Sequence, residues 1–483
     1  MTARPDILWL RQDLRLSDHA ALAEAAGGTM LPVYVLDDAA AGRWTLGGAS
    51  RWWLHHSLSA LSQALAERGA PLLLLKGNAE TLIPALAQEL DAGRIFASRL
   101  YSPWGRARDA AVNTALRRAG RELTLHDTGL LFGPDAVRTR QGRPYSIYTP
   151  FARAMLALGE VPQPGTAPER LRGATHPTGG LALEELTLLP PERQGPWASA
   201  FTDLWVPGEA GAQARLEGFL TEAAAGYSKG RDLPGQDGTS RLSPHLHWGE
   251  VSPRQVWDAV MRGGGHHGGH GVFLREILWR EFSHHMLWHR PELPEFPLRA
   301  EFADFPYRPD AALLRSWQRG RTGYPIVDAG MRQLWKLGWM HNRVRMIAGS
   351  LLVKHLLQPW WDGAAWFWDT LVDADLANNS QNWQWIAGCG TDSAPYFRIF
   401  NPVLQGRKFD PTGDYVRRFV PELARLPDRW LHEPWEAPGT VLASAGIQLG
   451  RNYPEPLIRP AAGRAIALQA LQSLRRPVQR EHG

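Results

Sequence analysis

A single cysteine, Cys389, occurs among 483 residues, which excludes an internal disulfide and a cysteine-rich metal site and suits a reducing cytosol. No uninterrupted apolar run reaches the length of about 20 residues that a membrane-spanning helix requires, and the first residues read as a strand and not as a signal peptide. A protein of the cytosol without a membrane partner is therefore expected. The first strand is not followed by Gly-x-Gly-x-x-Gly, so the standard dinucleotide fingerprint is missing. No pairing of nucleophile and base stands out either, which points away from acid–base catalysis. Charge of one sign is also in short supply. The 53 Lys and Arg exceed the 48 Asp and Glu by only 5, a mild basic excess that admits a polyanionic partner without requiring one.

What the chain does have is length and tryptophan. A single core rarely serves 483 residues, so two or more domains are expected, and 44% hydrophobic with 21% charged residues is the composition of a globular protein. Most of its 22 tryptophans belong in cores, yet each indole N–H wants a partner even there, and the remainder invite a function. Residues 6–10, 31–36, 71–75, 94–98 and 121–125 read as strands. Between them, Ser17 and Asn78 read as helix N-caps, and 50–68 and 105–119 as helices. This alternation predicts an α/β domain over residues 1–130, with a parallel, five-stranded, Rossmann-like sheet covered on both faces. Residues 131–207 carry Pro162, Pro164, Pro168, Pro177, Pro190, Pro191 and Pro196 and little helical period, as a long surface connection would. Residues 208–476 are predicted to form an all-α domain. Within it, residues 263–271, with His266, His267 and His270, read as a flexible exposed loop in preference to a metal site.

Four clusters in the helical half carry chemistry. The stretch 373–385 holds Asp373, Ala374, Asp375, a run of amides that includes Asn379, and Trp383 and Trp385. Carboxylates and amides bond the edge of a heterocycle while indoles stack on it or pass electrons, so a flat redox ring is expected there. From Tyr227 to Ser243, the hydroxyls and arginine of Thr239, Ser240, Arg241, Leu242 and Ser243 make either a diphosphate cradle or a simple capped loop. Around Phe273 to Trp288, Leu274, Leu278 and Phe282 form a core stripe, and Glu276, Trp279, Arg280 and Ser283 fall opposite. Tryptophan is rare on a solvated face, which favours a stacking pocket there over a wet helix face. Asn342, Arg345 and Met346 share a face at helical spacing. Arg345 is placed to pair with an acid such as Asp373 and Asn342 to read a base edge; the plainer alternative is a surface ion pair with a satisfied amide.

Several motifs resemble the photolyase/cryptochrome family: Gly-Thr-Ser-Arg-Leu-Ser-Pro (238–244), Trp-Arg-Glu-Phe (279–282), Gly-Tyr-Pro-Ile-Val-Asp-Ala (323–329), Trp-Met-His-Asn-Arg (339–343) and Pro-Tyr-Phe-Arg-Ile-Phe-Asn-Pro (395–402). The opening Leu-Trp-Leu-Arg-Gln-Asp-Leu-Arg-Leu-Ser-Asp18 resembles the same family, so the match runs in order over nearly the whole chain. The resemblance implies an antenna domain, a linker and a helical domain binding FAD. It implies Tyr227, Thr239 to Ser243, Asp373, Ala374, Asp375 and Arg345 on FAD, and Asn379 at flavin N5. It further implies Glu276, Asn342, Trp279, Trp385, Arg280 and Met346 around a damaged base pair, and Arg231, Arg343 and Gln405 on the DNA strand.

An amide at 379 does not readily supply the proton that an aspartate gives in signalling cryptochromes, which favours repair. The 339–343 motif lacks the second histidine of relatives that repair (6–4) lesions, which favours cyclobutane dimers. The expected activity is therefore a photo-lyase on UV-damaged DNA, monomeric and in the bacterial cytosol or nucleoid, with a blue-light receptor as the alternative. The family's electron chain maps to Trp383, Trp360 and position 307, which is Tyr307 here; Trp317, Trp335 and Trp361 are alternative exits. Residues 104–109 depart from the usual folate-binding pattern and look more like deazaflavin binders, whereas 48–58 and 207–212 resemble class III photolyases. Methenyltetrahydrofolate is the expected antenna, with 8-hydroxy-deazaflavin as the alternative.

Overall fold

The computed structural model describes residues 4–175, 179–189, 197–392 and 397–474. Pro177, Pro190, Pro191, Pro196, Pro395 and Tyr396, named above, lie outside the described residues, as do residues 475 and 476. By compactness the chain forms two units. The first comprises Met1–Ser228, Thr239–Pro291 and Val372–Ala377; the second comprises Lys229–Gly238, Glu292–Leu371 and Asn378–Gly483.

The first unit contains the parallel sheet. Its strands are β1 (Asp6–Leu10), β2 (Thr29–Leu36), β3 (Leu73–Lys76), β4 (Ile95–Ser98) and β5 (Leu123–His126), ordered β3-β2-β1-β4-β5. β1 is buried along its whole length, as a strand with helices on both faces must be, and this is why it reads as an unbroken apolar run. Ile7, Trp9, Val33, Ile83, Val112 and Leu116 belong to its core. The expected strands and helices are present, with one cap reassigned. His19, not Ser17, caps the Ala20–Ala25 helix, its Nδ1 accepting from Leu22 N. Asn78 caps the Ala79–Glu89 helix as expected, its Oδ1 accepting from Glu80 N at 2.8 Å.

Two segments hold more structure than their composition suggests. The Pro- and Gly-rich connection contains the helix Tyr148–Leu156, which buries Phe151 and Met155, and the short strand β6 (Arg172–Gly173), which pairs with the start of β2. Proline spacing hid both, because a nine-residue helix with two anchors gives little period. The glycine-rich segment 263–271 is not a loop throughout, since the helix Gly268–His289 begins inside it. A Cβ at Gly269 would lie 2.1 Å from the Ala224 carbonyl oxygen, so glycine serves close packing there. Among the described residues no cluster of three potential metal ligands occurs, and no helix is long and apolar enough to cross a membrane.

Buried carboxylates tie the first unit together. Glu250 is fully buried and accepts from Trp53 Nε1 at 2.9 Å, from Gly208 N at 2.8 Å and from His245 Nδ1 at 2.5 Å. Glu281, equally enclosed, accepts from Leu131 N at 2.9 Å and so fixes the start of the connection to the Gly268–His289 helix. The second unit is helical, and its principal helices are Pro325–Leu337, Asn342–Ser350, Trp360–Thr370, Pro402–Phe409 and most of Leu376–Ala387. There Asp328 plays the corresponding part, accepting from Thr322, Gly323 and Tyr453.

Burial pushes the Glu281 carboxyl from 4.5 up to about 7, against the pull of Arg280. Between those values the folded chain holds a proton that the unfolded chain has released, so stability falls as pH rises through that window and levels off above it. The limb amounts to about 3 kcal/mol. Glu281→Gln retains an acceptor for Leu131 N and is expected to flatten the limb, as read by urea unfolding across the window; an unchanged slope assigns it to another group.

Candidate functional site

The short loop before the Ser243–His247 helix has the features a diphosphate cradle needs. Arg241 sits in the left-handed region at φ +50°, a conformation that costs a non-glycine residue about 1–2 kcal/mol and turns the loop sharply. Ser240 Oγ accepts from Leu242 N at 3.3 Å, and buried Leu242 anchors the turn. Thr239, Ser240 and Arg241 remain half-buried, and Ser243 Oγ donates to Asp373 Oδ2 at 2.6 Å. Tyr227 packs edge-on against Phe219 and Phe273 at 5.6 and 5.3 Å. Hydroxyls, a guanidinium and a turned backbone thus lie on one short loop, with a carboxylate beside it, which fits an anionic cofactor bearing a polar ring. Ala374 is buried. Asp375 faces His284 Nε2 at 3.4 Å and His247 Nδ1 at 3.7 Å. Burial pushes its carboxyl up, but the two histidines, His284 first, draw it well below the usual carboxylate range. Neither histidine stood out in the sequence, because nothing in their spacing links residues 247 and 284 to 375.

The Gly268–His289 helix buries Leu274, Leu278 and Phe282, as its period predicts. Glu276, Trp279 and Arg280 are half-buried on its other side. Ser283 departs from the expectation: it is buried, and its hydroxyl donates back to the Trp279 carbonyl at 3.0 Å. Tyr148 stacks flat on Trp279, with ring centroids 3.6 Å apart and 5° between planes. Burial, and then the charge of Glu276, push the Tyr148 phenol up, so Tyr148, Trp279 and Glu276 form one patch. Sequence reasoning missed Tyr148 because it lies in the proline-rich connection. Arg280 turns inward, donating to the carbonyls of Gly129 at 2.8 Å and Leu246 at 3.5 Å, which makes it a brace for that patch.

In the second unit, His341 caps the Asn342–Ser350 helix by accepting from Arg343 N at 3.2 Å, which leaves Asn342 exposed at the first helical position. Arg345 donates to the Met340 carbonyl at 2.8 Å, and Met346 beside it is half-buried. Arg343 is held by Asp232 at 2.7 Å and lies 4.5 Å over the Phe409 ring. Trp385 is half-buried under Arg398, which lies 5.3 Å from its ring. Gln405 and Arg231 are half-buried. The Asn379 amide donates to the Ala364 carbonyl at 3.0 Å, which fixes its orientation.

Among the described residues of this unit, several tryptophans lie in ring contact with other aromatic side chains. Trp383 is buried against Phe367 at 5.0 Å and Trp317 at 6.1 Å. Gly363 makes room for it, since a Cβ there would fall 2.2 Å from the Trp383 ring. Trp360 is buried and lies edge-on to Trp361 at 5.9 Å; Trp361 is 38% exposed and touches Tyr307 at 5.2 Å. Burial holds the Tyr307 phenol well above its usual range. Trp335, also exposed, stacks on Trp366.

Residues 6–169 match the family described as DNA photolyase, and residues 273–473 match the FAD binding domain of DNA photolyase. The chain is 46% identical to a deoxyribodipyrimidine photo-lyase of Agrobacterium fabrum, over 98% of both proteins. It is 37% identical to Cryptochrome-2 of Arabidopsis thaliana, over 97% of this chain and 79% of the relative. A bacterial class III photolyase from Agrobacterium tumefaciens has a similar solved structure, with a TM-score of 0.94 at 46% identity and 98% coverage of each chain. By sequence and by fold, this chain belongs to the photolyase/cryptochrome family.

Proposed function

We propose that the protein is a deoxyribodipyrimidine photo-lyase that splits cyclobutane pyrimidine dimers in DNA with light. Asn379 carries this reading: its amide has no acidic proton to give, and its N–H is already committed to the Ala364 carbonyl. Asn379 would therefore supply no proton to a bound flavin. FAD, when bound and reduced, supplies the electron that opens the cyclobutane ring and takes it back afterwards.

The chain's own residues bind, orient and exclude water. Tyr227 and Thr239 to Ser243 hold the FAD diphosphate, and Asp373, Ala374, Asp375 and Arg345 hold the flavin edge. Glu276 and Asn342 bond the bases of the dimer, while Trp279, backed by Tyr148, and Trp385 stack around it beside Met346. Arg280 braces that patch from behind. Arg231, Arg343 and Gln405 engage the strand; the extrusion of a poorly stacked dimer costs only about a few kcal/mol. Residues 1–130 serve as the antenna domain, 131–207 as the linker and 208–476 as the catalytic domain. The second chromophore is methenyltetrahydrofolate, with 8-hydroxy-deazaflavin as the outcome that a spectrum of released pigment would reveal instead. The protein acts as a monomer in the cytosol or nucleoid.

Trp383 and Trp360 would pass electrons toward a bound flavin. The hole leaves through Trp361, because it is exposed and in ring contact with Trp360, whereas oxidation of Tyr307 requires its buried phenol to lose a proton.

Illumination of the pre-reduced protein with dimer-containing DNA is expected to restore absorbance at the rate of dimer loss. Absence of any light-dependent loss would identify a receptor instead of a repair enzyme. Binding in the dark should weaken steeply as salt is raised, since phosphate contacts release counterions. Trp383→Phe is expected to slow photoreduction of oxidised FAD by at least about tenfold, an added barrier of about 1.4 kcal/mol, and to spare repair by pre-reduced enzyme; equal loss of both refutes the role. Trp361→Phe should shorten the lifetime of the separated charge in transient absorption, and no change would move the exit to Trp317 or Trp335.

A further inference from the structure

The Asn342–Ser350 helix of the second unit runs on into a π-helical turn, Leu351–His355, in which Leu356 N donates to the Leu351 carbonyl at 3.0 Å, five residues back. A turn closed over that span holds between four and five residues, so the positions four and five along both return to the face of the first. Ser350, Lys354 and His355 are brought to one side in this way, and all three are buried. That side meets the irregular segment 397–401. Lys354 Nζ donates to the Arg398 carbonyl at 2.5 Å and lies 4.3 Å from the centre of the Phe397 ring. His355 Nε2 donates to the Phe400 carbonyl at 3.1 Å, and Ser350 Oγ accepts from Phe400 N at 3.1 Å. The His355 ring is held from behind: a Cβ at Gly463 would lie 2.8 Å from its Nδ1, so glycine lets the Pro460–Leu474 helix close against it. Burial pushes the Lys354 amine from 10.5 down to about 7, a cost that an apolar side chain of the same length would not bear. Charged or neutral, the amine still donates to the carbonyl. The clamped segment leads to two groups of the proposed lesion site. Arg398 lies 5.3 Å over the Trp385 ring, and the Phe400 ring is 6.4 Å from it, tilted by 33°. Asn401 then caps the Pro402–Phe409 helix that bears Gln405, accepting from Val403 N at 3.0 Å.

We propose that Lys354 and His355 are positioning residues for lesion recognition: by fixing the carbonyls of Arg398 and Phe400 they hold the backing of Trp385, and so set how strongly the protein prefers a dimer to intact DNA. The inference rests on the stacking role given to Trp385 above. Both side chains are too deeply buried to touch DNA themselves, so they act through the segment they hold. Contacts to phosphates carry no information about the bases and bind either kind of duplex. Stacking on an extruded pair exists only when the lesion is present, and an aromatic platform serves it only while its ring is kept in place. Loss of the clamp therefore falls on the part of the affinity that is specific to the dimer.

The test is binding of the flavin-loaded protein, in the dark and at fixed salt, to a duplex with one thymine cyclobutane dimer and to the same duplex undamaged. Lys354→Met, similar in length but unable to donate, is expected to lower the preference for the dimer by about tenfold, with the affinity for undamaged duplex and the flavin spectrum kept. His355→Leu is expected to do the same, and His355→Gln, whose amide nitrogen reaches where Nε2 stood, to restore the preference. In a Trp385→Leu background Lys354→Met is expected to change nothing further. An unchanged preference in Lys354→Met and His355→Leu, equal loss for both duplexes, or a full further loss in the Trp385→Leu background each overturns the proposal. If the variants do not fold, amide exchange in wild type decides: the Phe400 N–H, outside any regular element, is expected to exchange as slowly as the Asn342–Ser350 helix, and exchange as fast as an exposed loop overturns the clamp. Wild-type protein with no preference for the dimer refutes the photolyase reading. A wild-type preference that Lys354→Met retains refutes only the clamp.

Discussion

The first unit depends on the carboxylate of Glu250. A fully buried acid is costly unless every lone pair is answered, and this one is met by three donors from three separate stretches. Trp53 comes from the helix over the sheet, Gly208 from the start of the Glu209–Glu222 helix, and His245 from the helix behind the proposed diphosphate cradle. Removal of the acid would strand an indole N–H and a backbone N–H in a dry interior, at about 1–3 kcal/mol each. The covering helix of the sheet, the end of the long connection and the cradle are thereby pinned to one point.

The same device recurs where chemistry is expected. Glu281 holds Leu131, Asp18 accepts from Ser252, and Glu209 takes the backbone N–H groups of Leu16 and Ser17. Each of these buried or half-buried acids answers backbone or hydroxyl donors that a loop would otherwise leave unpaired. At Asp375 the neighbours are instead two histidines, His284 Nε2 at 3.4 Å and His247 Nδ1 at 3.7 Å.

In the second unit the constraint is steric. Trp383 fits because Gly363 has no side chain, and Phe367 and Trp317 close around it. Rigid enclosure suits the electron-relay role proposed for Trp383, because little around it has to reorganise. Trp361 lies at the surface, where water stabilises a positive charge, while Tyr307 is held in a setting that opposes loss of its proton.

Much of this was legible in the chain. The apolar run of β1, the cap at Asn78 and the stripe of Leu274, Leu278 and Phe282 follow from local period and short-range hydrogen bonding, which a sequence records directly. The motifs at 238–244 and 339–343 carried the family resemblance, because such runs of residue types are specific and short enough to read directly. What escaped was whatever depends on distant partners. Ser17 looked like a cap until His19 was found oriented toward Leu22 N. Tyr148 stacks on a residue far along the chain, and Gly269 is a glycine because of the Ala224 carbonyl. His247, Asp375 and His284 meet only because the fold returns the chain to the same place. The sequence by itself determined the elements, the family and the residue types of the site, since those rest on contacts a few residues apart. Only the tertiary structure decided which buried charges share a partner and which polar atoms have none, because desolvation and pairing depend on neighbours that no local pattern encodes.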